Sequence, residues 1–186
     1  MDKVKEILAA ALKLFVEYGF HGTPTSKIAQ EAGVANGTLF HYFKTKEDLV
    51  IALYIDTKTR LAQHLIDNAL PENTLKARLK NRYLQVMYWA MEHSTEFRFI
   101  QQFHTSPFLS RLSAEEMYRQ MKPDLDLIEE GIATKIIQPR PIDFIFSLFF
   151  NHIYGLHQYL IHANLSTTEQ KKLIEDTFDL LWGMII

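Results

Sequence analysis

The sequence predicts an all-α fold, and three observations carry that prediction. Apolar residues return at spacings of three and four along most of the chain, oxygen-bearing caps and prolines punctuate those runs, and no block of alternating residues is bounded by hairpin turns. The 186 residues suit one or two compact units, and with 47% apolar and 23% charged side chains the chain is too apolar for intrinsic disorder. It has no cysteine, so disulfides, thiol chemistry and cysteine-held metals are all excluded.

The elements follow in order. Asp2 to Tyr18 sets Val4, Ile7, Leu8, Ala11, Leu12 and Phe15 on one face of a first helix, which Gly19 ends. After Gly22-Thr23-Pro24, Thr25 is expected to cap a short helix reaching Gln30, with Ile28 and Ala29 facing inward. Ala32-Gly33-Val34 forms a tight corner in which Gly33 can take a positive φ, and Gly37 to Phe43 reads as a second short helix. This spacing is that of a helix-turn-helix. Thr45 and Asp48 can cap a fourth helix from about Glu47 to Ala69, long enough to join the N-terminal unit to the rest.

Pro71 breaks that run, and helices are expected over Leu75 to His93 and Thr95 to His104, with a boundary at Pro107. The pattern from Ser113 to Ile137 carries Pro123, which implies a kink or a break, and Pro139 and Pro141 frame a stop and restart. Asp143 to His162 and the segment opened by Ser166 and Glu169 are the last two helices. Their apolar residues spread around most of the helix circumference, more than one buried face explains. A four-helix interface with a second copy would cover them, and Phe149, Ile153, Leu156, Leu160, Phe178, Leu181 and Trp182 are the expected interface residues. Gly155 fits close backbone approach there, or is a tolerated disruption.

Charge and flanking segments narrow the function. The net charge of -2 argues against coating nucleic acid through a global positive field, so any phosphate-binding surface must be local. Between His21 and Lys46 there are three lysines and one glutamate, a local charge of +2. Thr25 and Ser26 at a helix start can contact phosphate, and Lys44 and Lys46 can neutralise it. The opening Met1 to Glu6 is too charged for a signal peptide, so a cytoplasmic protein is expected. Phe144 to Ile161 is uncharged over eighteen residues but holds Asn151, His152, His157 and Gln158, and reads as a helix buried in protein rather than a membrane span.

Residues Thr25-Ser26-Lys27-Ile28-Ala29-Gln30-Glu31-Ala32-Gly33-Val34, followed by Ala35-Asn36-Gly37-Thr38-Leu39-Phe40-His41-Tyr42-Phe43-Lys44-Thr45-Lys46-Glu47-Asp48-Leu49, closely resemble the DNA-binding signature of the TetR family. The detailed likeness covers about 45 residues and includes Phe15 and Gly19. The resemblance implies a homodimeric, ligand-responsive transcriptional regulator, usually a repressor, which binds a near-palindromic double-stranded DNA operator and is released by a small-molecule effector. It implies a DNA-binding domain over residues 1–46 and an effector-binding and dimerisation domain over 47–186.

Ala35, Asn36, Gly37, Thr38, Phe40, His41 and Tyr42 then occupy the segment that enters the major groove. Asn36 can meet a base or a phosphate, Thr38 offers a hydroxyl and a methyl, and His41 can donate to a base acceptor. Phe40 stands where the family more often has tyrosine, and Ala35 where it often has serine, so a hydroxyl is missing at each position. Leu39 and Phe43 face the core instead. The resemblance also implies an effector pocket in the larger domain, which Tyr83, Met87, Tyr88, Met91, Phe99, Phe103, Phe108, Met117, Phe144 and Phe150 can line for a bulky apolar or aromatic ligand; the same residues at helical spacing also fill a core.

Nothing in the sequence points to catalysis. The eight histidines are scattered, with no HExxH pair, and neither a glycine-rich phosphate loop nor a serine elbow occurs. No cofactor or metal is expected. The rival to a DNA-binding regulator is a helical ligand-binding or protein-interaction module that keeps the fold without reading DNA.

Overall fold

A computed structural model describes residues 2–186; Met1, part of the expected first domain, lies outside the described residues. Among these there are nine α-helices and no strand: α1 (Lys3–Tyr18), α2 (Thr25–Glu31), α3 (Asn36–Tyr42), α4 (Lys46–Asp67), α5 (Leu75–Glu92), α6 (Ser94–His104), α7 (Ala114–Ala133), α8 (Ile142–Leu160) and α9 (Thr167–Gly183). A short 3-10 turn, Pro107–Arg111, follows α6. The fold class read from periodicity is the one observed.

The capping residues explain most of the boundaries. Asp2 accepts the Val4 amide at the start of α1, and Thr45 and Asp48 cap α4 reciprocally, each side-chain oxygen accepting the other residue's amide at 3.0 Å. Ser166 and Glu169 form the same box on α9. Thr25 does not cap α2 as its sequence position suggests. Pro24 is the capping residue and Thr25 the first helical one, because proline's fixed φ suits the extended geometry of a cap. The second short helix starts one residue earlier than expected, at Asn36, behind an Ala35 cap with no side-chain bond. Pro123 does not break α7, which continues through it to Ala133.

The chain packs as two compact units, one of residues 2–60 with 93–114 and the other of 61–92 with 115–186. These units do not coincide with a cut at residue 46, since most of α4, all of α6 and the 3-10 turn pack with the N-terminal helices. Aromatic rings account for the grouping. In the first unit Phe15 lies 5.2 Å from Phe20 and 6.5 Å from Phe99, Phe20 meets Phe108 at 5.1 Å, and Tyr54 stacks on Phe103 at 3.9 Å. Phe15, Phe99 and Phe103 are fully buried in this cluster.

In the second unit α5 packs on α8 and α9, and α8 on α9. Tyr83 and Trp182 flank Phe178 at 5.4 and 6.3 Å. Gly131 on α7 is required by contact rather than by turn geometry, because an added Cβ would stand 2.4 Å from Ile137 and 2.8 Å from Leu75. Ion pairs rim the unit: Arg82 with Asp124, Arg78 with Glu130, and Asp179 with both Lys76 at 2.8 Å and Lys80 at 3.3 Å. Among the described residues no helix is long and apolar enough to cross a membrane, and α8, which carries most of the uncharged run from Phe144, is instead packed within this unit.

Candidate nucleic-acid interface

Three turns set the geometry of α2 and α3. Gly19 closes α1 with φ +73°, its amide donating to Phe15 at 2.9 Å. The buried Thr23 hydroxyl lies within hydrogen-bond distance of the Leu14 and Gly19 carbonyls, at 3.1 and 2.8 Å, and so ties the α1–α2 connection to α1. Gly33 takes φ +65° between α2 and α3, a left-handed conformation that costs a side-chain-bearing residue about 1–2 kcal/mol. Behind it the Val34 amide donates to Ala29 at 2.9 Å, closing the corner.

With that corner fixed, α3 divides cleanly. Leu39 and Phe43 are buried beneath it, together with Ile28 and Ala29 of α2. Ala35, Asn36, Gly37, Phe40, His41 and Tyr42 are exposed and Thr38 is half-exposed. Ser26 and Lys44 are exposed as well, and Thr25 and Lys46 are half-buried. Every residue expected to meet DNA therefore has free surface, and the two expected in the core have none. Gly37 has open space where a Cβ would stand, so nothing inside the chain requires glycine there. The His41 and Tyr42 rings meet edge to face at 5.2 Å, which gives the end of α3 a broad aromatic surface.

The electrostatics sharpen this surface. Glu31, the acid of the segment from His21 to Lys46, is taken up by Lys13 of α1 at 2.6 Å. Lys27, Lys44 and Lys46 form no ion pair among the described residues, whereas the charged rim of the second unit is largely paired. Burial lowers the Lys46 pKa, and its ammonium stands 6.0 Å from the Phe15 ring. Sequence reading passed over Lys27, whose ammonium lies 3.5 Å over the ring of Tyr18. A lysine in the first turn of a helix was the available signal, since that end of the helix dipole is positive.

The residues expected to line a pocket are scattered. Phe99 and Phe103 are consumed by the aromatic core of the first unit, and Phe108 packs there on Phe20. In the second unit Tyr83 and Met87 are buried, Tyr88, Met91, Met117 and Phe150 are half-exposed, and Phe144 is exposed. The Tyr83 hydroxyl bonds both His152, at 3.1 Å, and Thr177, at 3.2 Å, and burial pushes its pKa up to about 12. Burial alone lowers the His152 imidazole.

The residues expected at a dimer seam are also redistributed. Ile153, Leu156, Leu160, Phe178, Leu181 and Trp182 are buried by their own chain, because α5, α8 and α9 pack on one another; Phe149 is half-exposed. The exposed large apolar groups of α8 and α9 are Phe144, Tyr159 and Leu180, with Met184 exposed just past the end of α9. A groove of about 380 Å³ runs between these helices, lined by Phe144, Ser147, Leu148, Asn151, His152, Leu181 and Met184. Among the described residues no three His, Asp or Glu side chains are grouped to hold a metal ion.

Comparison with known proteins agrees with this arrangement. Residues 7–53 match the family described as bacterial regulatory proteins of the tetR family. A crystal structure of a putative TetR-family transcription regulator from Shewanella sp. PV-4 superposes with a TM-score of 0.89 at 28% identity, covering 100% of this chain and 98% of that one. The Fatty acid metabolism regulator protein of Bacillus subtilis (strain 168) is 27% identical over 129 residues, 69% of this chain and 61% of its own length. The structure of FadR from Bacillus subtilis in complex with stearoyl-CoA shares the fold, with a TM-score of 0.76 at 22% identity over 98% of this chain and 99% of that one. The matched segment runs from α1 through α3 to the start of α4, and the structural likeness runs the length of the chain: the chain has the TetR-family fold, with that family's helix-turn-helix segment over residues 7–53.

Proposed function

We propose that this regulator is a homodimeric repressor that binds a near-palindromic operator through residues 1–46 and is released by a small apolar effector bound within residues 47–186. The observation that carries the reading is the division of α3, with Leu39 and Phe43 buried beneath it and Asn36, Gly37, Thr38, Phe40, His41 and Tyr42 free above. A recognition helix presents its outer face to base edges in the major groove, and flanking hydroxyls and lysines bind phosphate. Asn36, Thr38 and His41 are the base readers in this account. Thr25, Ser26, Tyr42, Lys44 and Lys46 contact backbone, and Ala35, Gly37 and Phe40 set the close approach.

The second copy covers the exposed face of α8 and α9. Phe144, Tyr159, Leu180 and Met184 supply its apolar surface, and Gly155, exposed and with open space at its Cβ position, admits a partner helix. Pairing these faces makes the four-helix interface and sets the distance between two recognition helices. The effector is a long-chain acyl-CoA or a molecule of similar apolar bulk, a reading supported by the stearoyl-CoA complex of the Bacillus subtilis neighbour. Tyr88, Met91, Met117 and Phe150 are the candidate contacts that retain surface to offer it. The effector acts by binding the DNA-incompatible dimer more tightly than the compatible one.

A duplex selected from random sequence, placed over a promoter, tests repression; displacement of the same duplex by stearoyl-CoA but not by free CoA tests the effector. Activation from that position would contradict the repressor reading. Displacement by neither compound would remove the acyl-CoA assignment.

A further inference from the structure

We propose that Tyr18 is a positioning residue that holds the Lys27 ammonium in place for a DNA phosphate, extending the reader beyond α3. The inference rests on the DNA-binding reading and concerns two residues outside the helix-turn-helix contact set. Lys27 Nζ lies 3.5 Å from the centroid of the Tyr18 ring, near enough for the ring quadrupole to attract it. Tyr18 is 46% exposed, so this contact lies at the surface of the first unit.

Two other lysines over aromatic rings show what a structural role looks like in this protein. Lys76 stands 5.9 Å over Trp182 and Lys80 5.7 Å over Phe178, and both also pair with Asp179. Their charge is answered within the chain. Lys27 is closer to its ring yet has no carboxylate among the described residues at ion-pair distance, and the nearby Glu31 is already held by Lys13. It also sits in the first turn of α2, where the helix dipole opposes a cation.

Among the described residues no carboxylate lies at ion-pair distance from this charge, and an external anion can answer it. Thr25 and Ser26, the hydroxyls assigned to DNA backbone, lie on the same helical turn, so that anion is a phosphate of the bound duplex. The ring makes the contact effective. A free lysine stem must be ordered on binding, whereas an ammonium already seated on a ring loses less rotamer freedom and still keeps N–H donors for phosphate.

The test is the salt dependence of duplex affinity for the full chain, between about 0.05 and 0.2 M salt, on a selected duplex and on a random-sequence duplex of equal length. Each neutralised phosphate contributes about 0.9 to the slope of log affinity against log salt. Lys27→Gln is expected to lower that slope by about 0.9 per bound protomer and to weaken both duplexes alike, while Lys27→Arg retains the slope. Tyr18→Phe keeps the ring and is expected to bind as the parent does. Tyr18→Leu, checked for parental helicity by circular dichroism, is expected to bind several-fold more weakly. An unchanged slope in Lys27→Gln, with only the thermal midpoint lowered, would overturn the proposal and leave a clasp between α1 and α2. Equal affinities for Tyr18→Leu and Tyr18→Phe would overturn the positioning role. Failure of the parent chain to bind either duplex would overturn the DNA reading itself, and this inference with it.

Discussion

In α3 the buried Leu39, with Phe43 just past the helix end, faces the core, while Asn36, Gly37, Phe40, His41 and Tyr42 are exposed. In α8 and α9 apolar side chains occupy both kinds of surface: Ile153, Leu160, Phe178 and Leu181 are buried while Phe144, Tyr159 and Leu180 are open. The charges divide in parallel. Lys27, Lys44 and Lys46 of the reader form no ion pair among the described residues, whereas Lys76, Arg78, Lys80 and Arg82 of the body are all paired. One region is finished inside and unanswered outside, in charge. The other is unanswered in apolar surface. The first lack suits a polyanion, the second another protein surface.

Substitution can break this comparison, and the largest effect is expected in the body. Phe178→Ala empties a fully buried site and should cost about 3–5 kcal/mol in urea denaturation. Its neighbour but one, Leu180, is 70% exposed, so Leu180→Asp should leave helicity unchanged and shift the sedimentation mass from dimer to monomer. An unchanged mass would take this face out of the interface. The same two readouts on any α3 residue should separate along the line of burial, with no effect on mass.

Acid provides the next largest effect. Burial, and then the charge of Lys58, hold the His104 imidazole down to about 4, and its Nε2 meets the Tyr54 hydroxyl at 3.0 Å. The unfolded chain takes up this proton near the ordinary histidine value, so it binds more protons than the folded state between the two pKa values. Stability from this residue is complete above about pH 6.5 and falls as pH drops toward 4, by up to about 3 kcal/mol. His104→Gln should flatten that part of a stability profile. A profile of unchanged slope would remove His104 as its cause.

Smaller effects test the reader. Gly33→Ala, which forces a side chain into a left-handed corner, should lower stability by about 1–2 kcal/mol and weaken DNA binding with it. His41→Ala should change stability by less than about 0.5 kcal/mol, as exposed sites generally do, yet alter the sequence recovered by duplex selection. An identical selected sequence would exclude His41 as a base reader.

These contrasts also explain what could be read from the sequence. The reader was legible because a short helix on a glycine corner has one core face, and Leu39 and Phe43 mark it by their spacing. The caps at Thr45 and Ser166 were legible for a similar reason, being local chemistry. The body was legible only as helices. Its apolar residues serve an intramolecular core and an outer face at once, and whether Leu181 or Leu180 is buried depends on how α8 and α9 lie against α5, which no spacing within one helix records. Phe99 and Phe103 were drawn into the expected pocket because nothing local shows that α6 packs against α1. The ring contact between Tyr18 and Lys27 joins two helices across a turn and was hidden for the same reason.

The most direct test of the central claim is equilibrium binding of the full chain to its selected duplex and to a scrambled duplex at about 0.15 M salt. A DNA-reading regulator should hold the selected duplex at least about 1,000-fold more tightly than the scrambled one, and Tyr42→Ala should weaken both. Weak binding that is equal for the two duplexes and vanishes at that salt would contradict the account.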